Sequence, residues 1–178
     1  MRLLKRDERV NYQNTSFLGM LRINKISSLT VKNLGFYLGL ILTIIFYYYC
    51  RNLSNDLIRK LADYMTNVLP SVSATLLGII IAGLAIIVAL STGNIYNHLL
   101  ENRTLQKLLF PFWYAASLWG VLILLLLVLK VLLLISTMKV IFIGIILIIF
   151  FLNYALFGTM ALIGNRIRIM IYLAQIKR

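Results

Sequence analysis

Along the chain, polar and apolar residues are sorted into long blocks instead of alternating with a strand or surface-helix period. Four blocks are almost wholly apolar: residues 34–50, 72–92, 112–136 and 140–163, of 17, 21, 25 and 24 residues. A helix needs about 20 apolar residues to cross the hydrocarbon core of a bilayer. Three blocks are long enough and the first is marginal. Buried helices of soluble proteins keep a polar stripe, which these blocks lack. The pattern predicts an all-α integral membrane protein with four transmembrane helices forming one domain over residues 34–163. A basic arm, 1–33, precedes that domain, and a basic extension, 164–178, continues its fourth helix. Only Thr137, Met138 and Lys139 separate the last two blocks, so these should form a tight antiparallel hairpin.

Between blocks the pattern turns helical and amphipathic. Residues 54–69 set Leu57, Ile58, Leu61, Met65, Val68 and Leu69 on one face, opposite Asn55, Asp56, Arg59, Lys60, Asp63 and Thr66. Ser54 suits an N-cap and Pro70 a stop, which predicts a short helix lying on the membrane interface. Residues 94–109 repeat the arrangement on the other side, with Pro111 separating them from the third block.

Composition narrows the class. The 178 residues are 61% hydrophobic and 13% charged, with 18 Lys and Arg against five Asp and Glu and a net charge of +13. Soluble domains carry about 45–50% apolar and about 25% charged residues, and so much apolar area does not stay disordered. Beside such blocks the basic excess points to a membrane surface and away from nucleic acid. Lys and Arg number seven in 1–33, two in 93–111 and four in 164–178, against three in 51–71 and one in 137–139. The positive-inside rule then puts both termini in the cytoplasm. Tyr47–Tyr49 close the first block, and Phe110, Phe112, Trp113 and Tyr114 open the third, as aromatic belts do. The first block has no small-residue cleavage pattern after it and is expected to stay in the protein.

In the arm, Arg2, Lys5, Arg6, Arg9, Arg22, Lys25 and Lys32 suit contact with anionic headgroups, at about 1 kcal/mol per charge. The sharper reading of the arm is recruitment of an acidic cytoplasmic partner or, less expected, nucleic acid. Cys50 is the single cysteine, which leaves an unpaired thiol or a bridge between copies.

Candidate chemistry is sparse. His98 is the only histidine; with Glu101 it supplies too few ligands for zinc. No hydrolase, P-loop or dinucleotide-binding motif occurs. No enzyme activity, cofactor or metal is expected. The apolar blocks hold no acid, whereas ion-coupled carriers keep one in the membrane, so a small transporter is the weakest reading. Lys130 lies six residues before Ser136, roughly 9 Å from that end, close enough to snorkel. Asn153 lies deeper and should hydrogen-bond another helix.

Small residues give the strongest signal. Ser71, Thr75, Gly78, Ala82, Ala85, Ala89 and Thr92 recur at spacings of 4 and 3 along the second block, a seam that lets two helices approach closely. Gly35, Gly39 and Thr43 form a shorter ladder in the first block, and Gly158 and Ala161 a pair in the fourth. These seams serve either the bundle interior or contacts between copies. The Ile-, Asn-, Lys- and Tyr-rich usage suggests an AT-rich bacterial or phage genome and residence in a prokaryotic plasma membrane. The expectation is a self-associating membrane subunit that anchors or senses for a cytoplasmic partner, in an accessory, immunity or defence-type role. An oligomeric pore is the rival reading.

Overall fold

The computed structural model describes residues 34–90 and 104–176. Among these residues there are four helices and no strand: α1 (Leu34–Cys50), α2 (Asn55–Leu90), α3 (Thr104–Ile135) and α4 (Met138–Ile176). Three of them, over Asn55–Ile86, Leu109–Ile135 and Met138–Met160, are long and apolar enough to cross a membrane, as in a multi-pass membrane protein. At 17 residues α1 is apolar but shorter. The basic arm, Arg2 to Lys32, lies outside the described residues, as do His98, Glu101 and Thr92.

Two expectations about helix boundaries are corrected. Residues 54–69 are not a separate interfacial helix, because α2 runs 36 residues straight through Pro70. An interior proline removes one backbone hydrogen bond, here to the Thr66 carbonyl, at a cost of about 3 kcal/mol. Packing offsets this loss: Ile58, Ala62 and Met65 before the proline and Leu76, Leu77 and Ile80 after it join one apolar cluster. Ser54 does sit at the N-cap, its carbonyl accepting from the Ile58 N–H at 3.1 Å. Pro111 likewise lies inside α3, so residues 104–111 belong to the third helix. Phe110 and Tyr114 stack across that proline at 6.2 Å.

The hairpin expected between the last two blocks is present. Only Ser136 and Thr137 separate α3 from α4, and the Thr137 carbonyl accepts from Val140 N–H at 3.1 Å and Ile141 N–H at 3.2 Å. A Cβ on Gly144 would come within 2.9 Å of Leu129 Cδ1, so a larger residue there would push the end of that leucine side chain aside. Helix α2 packs most extensively on α3, and α1 on α4, while α4 also touches α2. The lateral order is therefore α1–α4–α3–α2.

The core lies along α3. Trp119, Leu122, Leu126, Leu129 and Leu133 recur with a 3–4 spacing and, with the neighbouring Leu118, are buried in one cluster with Ile141, Ile145 and Ile148 of α4 and the α2 face just named. Among the described residues two fully enclosed polar atoms, Ser73 Oγ and Trp119 Nε1, have no hydrogen-bond partner. An unmatched buried hydroxyl costs about 1–3 kcal/mol. Ser73→Ala is accordingly expected to raise the thermal midpoint in detergent, by about 1 kcal/mol of stability. A lowered midpoint would show that the hydroxyl does find a partner.

Candidate functional site

Three sets of residues carry the polar and small-residue features, and the helix register decides what each set meets. The first lies where the start of α2 runs beside the end of α3. On α2, positions 56, 59, 60, 63 and 67 fall at helical spacings of three and four and so share a face. Because α2 continues through Pro70, that face lies along α3 and not flat on an interface. Lys130 Nζ donates to Asp63 Oδ1 and to Asn67 Oδ1, each at 2.8 Å. Asn67 Nδ2 donates to Asp63 Oδ2 at 3.2 Å, closing a three-residue ring. One turn on, Arg59 Nη2 donates to the Leu133 carbonyl at 3.0 Å. Asp56 pairs with Lys60 at 2.8 Å. Together with Tyr64 and Leu134 these groups line an open cleft of about 470 Å³.

Lys130 is thus not a lone snorkelling charge. The shortage of acids belongs to the apolar blocks and not to the helices, since Asp56 and Asp63 lie within the 32-residue segment of α2 that can span a membrane. The Lys130 and Asp63 side chains are 46% and 58% exposed, which puts the pair on the open side of two helices and not in a sealed carrier core.

The second set joins α1 to α4. Gly35, Gly39 and Thr43 are all buried, and Thr43 Oγ1 donates back to the Gly39 carbonyl at 2.7 Å. A Cβ on Gly39 would lie 3.4 Å from Tyr154 N and 3.6 Å from Asn153 Cβ. This seam therefore lies within the chain, as does Gly158, whose added Cβ would sit 3.6 Å from Leu118 Cδ1. Alanine at position 39 would make ordinary contacts, whereas Gly39→Leu is expected to cost about 1–3 kcal/mol by overpacking. The thermal midpoint reads it; an unchanged midpoint would mean that α1 does not depend on this approach.

Asn153 was expected to bond across helices. Among the described residues its side chain forms no such bond, and the contact is made one residue along, where Tyr114 and Tyr154 share a hydrogen bond of 2.6 Å between their hydroxyls. Tyr154 also stacks on Phe150 and meets Phe36 edge-on. The signal for it was a tyrosine placed deep in an apolar block.

The third set is the small-residue stripe of α2. Ser71, Thr75, Gly78, Ala82, Ala85 and Ala89 are all exposed. A Cβ on Gly78 would meet nothing within 4 Å. At about 100° per residue, Ser71 and Thr75 lie some 200° from the buried Ser73, so the stripe points away from α3. Thr75 Oγ1 donates to the Ser71 carbonyl at 2.9 Å, which keeps its proton within the helix. Of the three long apolar helices, α2 has the least of its apolar segment buried within the chain.

Among the described residues no three His, Cys, Asp or Glu side chains converge on a point, and Cys50 is buried and unpaired. Compared with family models, with curated proteins and with solved structures, the chain matches none.

Proposed function

We propose that this is a non-enzymatic subunit of a prokaryotic plasma membrane, with four spans and both termini cytoplasmic, that self-associates through α2. The observation that carries the reading is the direction of the small-residue seams. The α1 ladder and Gly158 of α4 meet their own chain, while the longest stripe, on α2, faces outward. Copies inserted with one orientation can only pair such a stripe in parallel. Its 3.5-residue period suits a left-handed parallel pair.

The four-span count is supported by α1 lying antiparallel along the membrane part of α4, with Gly39 beside Tyr154 and Tyr47 beside Phe142. A helix of 17 residues reaches about 26 Å, near the roughly 30 Å core, and Tyr47, Tyr48 and Tyr49 at its end suit the headgroup layer. The orientation rests on the excess of Lys and Arg in residues 1–33 and 164–178. Those basic segments would anchor or sense a cytoplasmic partner, in an accessory, immunity or defence-type role.

The test is cross-linking of the full-length protein in native membranes. A ladder of multiples of one chain is expected, and monomer alone would overturn the reading. A pore is the second reading, favoured by the exposed Ser71 and Thr75 on the same stripe. It requires ion leak from vesicles holding the cross-linkable assembly.

A further inference from the structure

The geometry points to a phospholipid-binding site in the cleft between α2 and α3, where Arg59 takes the phosphodiester of one glycerophospholipid. The inference rests on the membrane reading of α2 and α3 and on neither the self-association nor the orientation.

Charge balance is the first argument. The cleft holds three cations, Arg59, Lys60 and Lys130, and two carboxylates, Asp56 and Asp63. Asp63 is taken by Lys130 and Asp56 by Lys60, both at 2.8 Å. Among the described residues no carboxylate pairs with Arg59. One guanidinium remains without a carboxylate partner; the Leu133 carbonyl takes one of the two Nη2 hydrogens, the other still forms a two-pronged edge with Nε–H or Nη1–H, and a phosphodiester carries one negative charge. The planar fork of arginine suits two phosphate oxygens at once.

Depth is the second argument. The apolar part of α3, Leu109–Ile135, has 27 residues and is about 40 Å long, longer than the roughly 30 Å core. Centred in the bilayer, it puts Lys130 about 12 Å from the midplane, inside the hydrocarbon. Leu133, and with it Arg59, comes at about 16 Å, where the headgroup layer begins. The deeper cation carries its own protein counter-ion, and the one at phosphate depth does not. A void of about 470 Å³ accommodates a headgroup, and the outward Leu134, 82% exposed, offers a surface for the first methylenes of an acyl chain.

Native mass spectrometry of the full-length protein, extracted from membranes into detergent, tests this with three probes: a synthetic phosphatidylglycerol, a diacylglycerol with the same chains, and inorganic phosphate. One phosphatidylglycerol is expected to be held more tightly than any further copies, with the diacylglycerol not retained and inorganic phosphate unable to displace the lipid. Arg59→Gln should weaken that first binding about tenfold, the scale of one lost charged contact. Arg51→Gln, at the same end of the molecule but outside the cleft, should leave it unchanged. Arg59→Lys separates binding from folding: it keeps the charge and should recover part of the affinity. Equal retention by wild type and Arg59→Gln overturns the site, and displacement by inorganic phosphate overturns its assignment to lipid. Failure of the protein to partition into membranes at all would instead count against the membrane reading.

Discussion

Ala82→Leu is expected to reduce the cross-linked ladder from native membranes to monomer while leaving the unfolding midpoint of the single chain unchanged. Ala82 is exposed on the stripe of α2, so the added carbons meet no group of their own chain. Overpacking a seam costs about 1–3 kcal/mol per site, and a two-fold interface contains the substitution twice. The pair should therefore weaken by a factor of at least about 30. Gly78→Leu should act in the same way, since a side chain there enters open space. Gly83, one residue beyond Ala82, supplies the contrast: its added Cβ would lie 3.5 Å from Phe112 Cε1. Gly83→Leu should lower the midpoint of the chain itself. If both Ala82→Leu and Gly78→Leu leave the ladder intact, α2 is not the surface of association.

The second large effect is expected at Lys130. Asp63→Leu leaves its ammonium with only the Asn67 oxygen as a protein partner, and the midpoint should fall. Removing both charges, in Asp63→Leu/Lys130→Leu, should recover most of that loss, because breaking an ion pair costs more than replacing it with apolar residues. Four midpoints form a double-mutant cycle. Strictly additive losses would show that the two groups do not depend on each other.

The apolar blocks made the helical class, three helices long and apolar enough to cross a membrane, and the α3–α4 hairpin legible, since block length and a three-residue connection leave few alternatives. Pro70 and Pro111 read locally as helix ends, whereas long-range packing continues both helices through them. The ion pair depends on the same continuity. Asp63 and Lys130 are 67 positions apart, and they meet only once residues 54–69 are carried on as α2 and paired antiparallel with α3. The seams were legible as seams, but a spacing of 4 and 3 states which residues share a face and not what that face meets. Asn153 drew attention by its amide, while Tyr154, partly apolar and less conspicuous, carries the hydrogen bond.

The lateral order α1–α4–α3–α2 also sets the order of assembly. As the chain is made from its N-terminus, α1 is complete more than a hundred residues before the segment of α4 that covers its glycines. Helices α2 and α3 have each other available first, and α4 folds back on α3 through a two-residue connection. The contact between α1 and α4 closes the longest loop and is the last to form. Until then Gly35, Gly39 and Thr43 lack the α4 surface that covers them in the finished chain, so α1 is the helix that must wait longest for its partner.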